Sequence, residues 1–341
     1  MTTLLDGARA LALDLDEAQL ARCHELLART FEFTKDAEKA IEIDPAITTR
    51  SQIEVLAKLG FNRISMGVQS LDEKLLDRLG RIHSREQVFK SFDILRKSGF
   101  DNVNLDLMFA IPTQTMDIWR DTLNEALAMQ SEHLSSYEVI YEDDTPLFHQ
   151  LKAGEFDVDE NLACEMYEEL VSRSAAAGFR QYEIANFARD VRTMPQTPDP
   201  RPQTPIPALA CQHNVNYWRG GQFHGLGPSA TGYVRGVRTK NWANTQLYCE
   251  QLEKGKRAIE SSEELSPLRR AGETAAFGLR MNAGWPFEDF QRVTGFNLRQ
   301  EWKSEMEQLQ ERGWAQISEG RFHLTHHGLR FADAAAEMFL R

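Results

Sequence analysis

An α/β fold of parallel strands joined by helices is predicted by three features of the sequence. Four short runs, Lys39 to Pro45, Phe61 to Ser70, Val103 to Phe109 and Leu134 to Ile140, each read as a buried strand. A stretch with helical periodicity separates each run from the next, which is the pattern of βα units in one sheet. Each run also ends in polar residues, with Glu42, Gln69, Asp106 and Glu138 at or near the strand ends. Parallel strands put those ends on one edge, where α/β sheets and barrels bind ligands, so the four side chains should converge on one mouth. A single polar strand end marks only the exit from a core; four in succession favour a site.

The totals agree with a globular chain. Among 341 residues, 42% are hydrophobic, enough for a packed core, and the length suggests about two domains. A net charge of −12 disfavours a surface built to neutralise phosphates, so nucleic acid is not an expected partner. No run reaches the roughly 18 apolar residues of a spanning helix, and Met1 to Asp6 has no signal-peptide pattern; a cytoplasmic protein is expected. The four cysteines, Cys23, Cys164, Cys211 and Cys249, lie far apart and form no CxxC.

In chain order, Asp16 to Phe31 reads as a helix with Asp14 or Asp16 as cap. Thr48 or Thr49 caps a second helix, carrying Ile53, Leu56 and Leu59 and stopped by Gly60. In the strand that follows, Ile64, Met66 and Val68 are apolar and Gly67 permits close backbone approach. Asp72 to Leu79 reads as a short helix, Gly80 to His83 as a loop with Arg81 on the mouth side, and Ser84-Arg-Glu-Gln87 as a capping box opening a helix to Gly99. A turn at Ala110 to Thr115 feeds a helix from Met116 to Met129. Tyr141 to Pro146 is a polar loop, Glu160 to Ala177 a helix, and Gly178 to Ile184 a further strand that continues the βα rhythm to about residue 188.

Beyond that point the character changes. Pro195-Gln-Thr-Pro198, repeated as Pro202-Gln-Thr-Pro205, marks residues 191–209 as a Pro-rich insertion or linker. Residues 210–264 form a connecting segment that opens with Cys211-Gln-His213-Asn-Val-Asn-Tyr217-Trp218 and continues with Gly225 and Gly227. From Ser266-Pro267 the pattern is helical, with a helix from Trp285, another from Leu298 to Arg312, and strands at Ala315 to Ile317 and Phe322 to Leu324. That order predicts a winged-helix-like domain over 265–341; its acidic residues, Glu288, Asp289, Glu301, Glu305, Glu307 and Glu311 among them, argue for a structural or protein-binding role rather than DNA.

Taken together, Glu42-Ile-Asp-Pro45, Asn62 to Ser70, Leu79-Gly-Arg81-Ile-His, Asn104-Leu-Asp106-Leu-Met and Ile111-Pro-Thr-Gln-Thr resemble the radical S-adenosylmethionine (radical SAM) enzymes related to oxygen-independent coproporphyrinogen III oxidase. Gln181 to Phe187 and Cys211 to Trp218 look like the haem-chaperone branch, HemW, more than the oxidase branch. The resemblance implies a partial (β/α) barrel over residues 1–190, with a C-terminal helical and winged domain. It also implies a S-adenosylmethionine pocket lined by Glu42, Gln69, Arg81 and Asp106, and haem as ligand, with His213 as candidate iron ligand and Tyr217 and Trp218 covering a porphyrin face.

The family pattern also includes CxxxCxxC, whose thiolates hold a [4Fe–4S] cluster, and a Gly-Gly-Gly-Thr-Pro loop; neither occurs in this sequence. The chain starts where the segment after that loop would start, so the barrel is expected to lack its first two strands and to expose Lys39 to Ile43 as an edge. Three functions follow as expectations. The first is a haem-binding chaperone that delivers haem to an acceptor protein without radical chemistry. The others are a coproporphyrinogen oxidase-like radical enzyme whose cluster segment lies outside this reading frame, and a non-catalytic interaction module.

Overall fold

A computed structural model of the chain describes residues 4–11, 15–143, 145–190 and 206–341. Two units are present, Met1–His213 and Asn214–Arg341. In the first, strands β1 (Leu4–Leu11), β2 (Glu32–Ile43), β3 (Arg63–Gln69), β4 (Val103–Phe109) and β5 (His133–Glu138) run parallel, each beside the next. Helices α1 (Glu17–Thr30), α2 (Arg50–Lys58), α3 (Glu73–Arg78), α4 (Arg85–Lys97), α5 (Met116–Ala128), α6 (Pro146–Lys152) and α7 (Glu160–Ala176) connect and cover them. The sheet is open, with β1 at one end of the strand order, as a partial barrel requires.

Alternation along the strands decides which face does what. Ile64, Met66 and Val68 on β3, and Val103, Leu105 and Leu107 on β4, are fully buried. They share one core with Ile53 and Leu56 of α2, Val88 and Leu95 of α4, Trp119 and Leu123 of α5, and Met166 and Leu170 of α7. At about 1.5–3 kcal/mol for each fully buried large aliphatic side chain, this face is the main source of stability. The intervening positions, Ser65, Asn104, Asp106, His133 and Ser135, form a hydrogen-bonded polar set on the other face.

The caps written in the sequence are realised. Asp16, Thr49 and Ser84 each accept a bond from the backbone N–H three residues on, and the Gln at that position reaches back to complete a capping box. Asp14, the other candidate cap for α1, lies outside the described residues, as do residues 191–205 of the expected insertion. Gly60, with φ of +77°, ends α2 in a left-handed conformation open to glycine.

Several expectations are corrected. The Lys39 to Ile43 segment is not an edge, because β1 pairs with it in parallel register, Ala8 opposite Lys39 and Leu11 opposite Glu42. The βα rhythm holds through the strand expected at Gly178 to Ile184 and is then broken by an antiparallel return. β6 (Arg180–Glu183) and β7 (Asn186–Ala188) are joined by two residues, a connection that only antiparallel strands can use, and β7 pairs antiparallel with β5. The polar loop expected at Tyr141 to Pro146 is followed at once by α6, absent from the sequence reading and opened by Thr145 as cap and Pro146 in the first turn.

The helix Gln212–Trp218 (α8) follows the segment at 206–211 and carries the boundary between the two units. In the second unit, Thr231–Val234, Val237–Asn241 and Ile259–Glu264 form an antiparallel three-stranded sheet within the segment read only as a connector. The winged part holds a second such sheet, Ala315–Ser318, Arg321–Leu324 and Trp285–Pro286. Trp285 is thus strand rather than helix, and the helix begins at Phe287. The expected helix over 298–312 is broken at Trp302, whose φ/ψ of −122°/36° leaves the helical region; its indole is buried and donates to the Phe339 carbonyl at 3.0 Å.

Candidate functional site

The strand tips of the first unit enclose a cleft of about 500 Å³ lined by Glu42, Asp44, Gln69, Arg81, Asp106, Tyr137 and Glu138, among others. The structure therefore brings Glu42, Gln69, Arg81, Asp106 and Glu138 to one mouth. Glu42 comes from β2, Gln69 from the last position of β3, Asp106 from β4 and Glu138 from the end of β5. Arg81 stands exposed in the loop after α3.

The tips are conformationally special. Gln69 (φ +62°), Ala110 (φ +56°) and Thr113 (φ +73°) are non-glycine residues in left-handed conformations, at about 1–2 kcal/mol each. Such cost is carried where surrounding structure fixes a functional shape. Gly67 lines the same cleft; a Cβ there would stand 3.1 Å from the Gln69 amide nitrogen, which a side chain would have to displace. Buried His83 ties two tips together, its Nε2 3.0 Å from the Val68 carbonyl and its Nδ1 3.8 Å from Asp44.

Asp106 accepts from Ser65 Oγ at 2.7 Å and Asn104 Nδ2 at 2.8 Å. Those bonds fix the orientation of the carboxylate, whose oxygens can also accept from hydroxyl or amine groups of a ligand. Partial burial, and then the neighbouring Glu160, push the Glu138 carboxyl above its usual range. A raised carboxyl stabilises the fold in its protonated form, so its contribution is present below the unfolded pKa and is lost as pH rises through the folded one. Glu138→Gln is accordingly expected to raise the melting temperature at about pH 7 and to leave it unchanged below about pH 4. Equal gains at both values would contradict this.

The second set of sequence candidates sits on α8. His213 is half-buried at its second position, and its backbone N–H donates to Glu38 at 3.4 Å. Tyr217 and Trp218 are half-buried too, and their rings meet edge-on at 89°, so they do not form one flat surface. Tyr217 packs on Phe223 and Phe277, and the Arg280 guanidinium lies over Trp218. Residues that sequence reasoning missed are Glu38, His133 and Tyr182, all buried in the first unit. Glu38 was visible only as a polar residue four positions before Glu42, hence on the same strand face.

Comparisons with known proteins decide the family. The radical SAM superfamily matches residues 2–126 and the HemN C-terminal domain residues 265–331. The heme chaperone HemW of Bacillus subtilis is 31% identical over 328 residues, covering 96% of this chain and 82% of that protein. The chain belongs to the HemW family. The HemW of Lactococcus lactis is 28% identical over 96% of this chain and 81% of its own length. Coproporphyrinogen III oxidase (HemN) of Escherichia coli shares the fold, with a TM-score of 0.79 at 18% identity, covering 98% of this chain and 78% of that one. The expected partial radical SAM barrel with its C-terminal domain is thus the observed architecture.

Membership of this family implies S-adenosylmethionine and a [4Fe–4S] cluster. The cleft suits the former, with acceptors at Glu42 and Asp106 and a cation at Arg81. The cysteines do not suit the latter. Cys23 is exposed on α1, Cys164 lies on α7, Cys211 is buried before α8 and Cys249 is exposed in the second unit. Among the described residues no group of three or more His, Cys, Asp or Glu is arranged to hold a metal ion. Incubation of this chain with iron and sulfide is therefore expected to give no brown [4Fe–4S] absorption; stoichiometric cluster uptake with release of 5′-deoxyadenosine would overturn that expectation.

Proposed function

We propose that this chain is a haem-binding chaperone that delivers haem to an acceptor protein, with His213 as the iron ligand and Tyr217 and Trp218 packing on the porphyrin. The observation that carries this reading is the likeness along 96% of the chain to a protein named as a heme chaperone. It is supported by helix α8, which holds His213 and the two aromatic residues within one short element. Imidazole nitrogen is a strong ligand for haem iron, and aromatic faces stabilise a porphyrin by apolar burial.

Glu42, Gln69, Arg81 and Asp106 would hold S-adenosylmethionine in the cleft, the carboxylates accepting from ribose hydroxyls or the methionine amine and Arg81 facing its carboxylate. No radical step belongs to this reading, because the residues present do not fit the cluster. A cytoplasmic location accords with it: among the described residues no helix is long and apolar enough to cross a membrane.

The test is titration of the full chain with ferric haem. One equivalent is expected to bind with a shift of the Soret band, and mixing with a haem-free acceptor such as apomyoglobin is expected to move the haem across. A chain that takes up no haem beyond a nonspecific background would overturn the proposal.

A further inference from the structure

The first turn of α8 is held by a side chain far away in sequence. Glu38 lies on β2, buried to 9% exposure, on the face it shares with Glu42. Its Oε1 accepts from the backbone N–H of Gln212 at 3.1 Å and of His213 at 3.4 Å, and Cys211 Sγ donates to the same oxygen at 3.6 Å. Oε2 stands 3.2 Å from the Gln212 nitrogen. The residue just before the helix is secured as well: the Cys211 N–H donates to the buried Tyr182 hydroxyl at 3.2 Å. Tyr182 is held in turn by His133 Nε2 at 2.9 Å, and His133 Nδ1 lies 2.6 Å from Asn104 Oδ1. These bonds are all satisfied by a neutral imidazole protonated on Nδ1, which donates to Asn104 and accepts from Tyr182.

The first N–H groups of a helix have no partner within it, and burying them unpaired is costly. Negative charge at that end is favoured. Sequence separation makes the arrangement specific. The carboxylate and His213 are 175 residues apart, and among the described residues all of its recorded hydrogen bonds go to this one turn.

We propose that Glu38 is the positioning residue of the haem motif, fixing the first turn of α8 and through it the placement of the His213 imidazole. Tyr182 assists by anchoring Cys211. This inference rests on the reading of His213 as the iron ligand, and the experiment separates the two. Glu38→Ala, Glu38→Asp and His213→Ala are compared with the native chain in haem affinity and in the ferric absorption and electron paramagnetic resonance spectra, with circular dichroism to verify folding.

Glu38→Ala removes the acceptor and is expected to bind haem about tenfold more weakly, with a ferric spectrum shifted away from the native ligation. Glu38→Asp keeps the charge but draws the oxygens back by about one carbon–carbon bond, roughly 1.5 Å, so it should fold yet show the same spectral shift in milder form. A merely structural role would lower stability in both variants without altering the spectrum of the haem that binds. If folded Glu38→Ala keeps native affinity and spectrum while His213→Ala loses them, the positioning role is wrong and the haem assignment stands. If Glu38→Ala does not fold, Glu38→Asp decides, and a native spectrum there overturns the proposal. If His213→Ala is itself unchanged, the haem assignment fails and takes the positioning role with it.

Discussion

His213→Ala is expected to lower haem affinity by at least about a hundredfold and to abolish the ligand-specific Soret shift. The imidazole is a strong donor for haem iron, and His213 stands half-buried on α8. Removing it leaves only the apolar contribution of the aromatic residues, and haem held by that alone gives a broad, unshifted band. His149→Ala is the matched control, since His149 is exposed on α6 and outside the motif. The two substitutions are compared by titration at equal protein concentration. Equal affinities and identical spectra would return His213 to the role of an ordinary hydrogen-bonded residue at a helix start.

The His213 and Glu38 experiments address different levels of the same arrangement. One removes a donor atom; the other leaves every atom of the motif in place and changes what its first turn rests on. Because Glu38, Tyr182 and His133 all belong to the first unit, the start of α8 is referenced to the sheet that also carries the cleft. Asn104 stands at the junction, its Oδ1 toward His133 and its Nδ2 donating to Asp106 at the cleft wall.

Much of this architecture was legible in the sequence, for reasons that differ by element. Strands β3 and β4 announced themselves because a strand in a parallel sheet buries one whole face of β-branched and aliphatic residues, and the polar tip then follows from leaving the core. The caps at Asp16, Thr49 and Ser84 were legible because they are local, one side chain answering an N–H three residues on. The antiparallel return of β7 was not, since it depends on a two-residue turn after β6 and not on periodicity. The sheet at 231–264 was missed because its third strand, Ile259–Glu264, has no apolar alternation to reveal it. The strand tips could be placed at one mouth from topology alone, whereas the grip of Glu38 on α8 could not, because nothing local links residues so distant in the chain.

Trp119→Ala is expected to produce the largest loss of stability of any single substitution considered, about 3–5 kcal/mol. Trp119 is fully buried on α5, its ring centroid 5.8 Å from that of Phe109 on β4, and its indole N–H donates to the Met166 carbonyl on α7 at 2.9 Å. One side chain therefore joins the sheet to two of the helices that cover it, and deleting it leaves a cavity that neither helix can close without giving up its own contacts. Trp119→Phe keeps most of the volume and loses only the indole bond, so it should cost about 1–3 kcal/mol. Urea unfolding followed by far-ultraviolet circular dichroism gives the comparison, with the midpoint expected to fall in the order native, Phe, Ala. An Ala variant within about 1 kcal/mol of the native chain would mean that α5 and α7 repack around the vacancy, and that the core of the first unit is far more plastic than close packing allows.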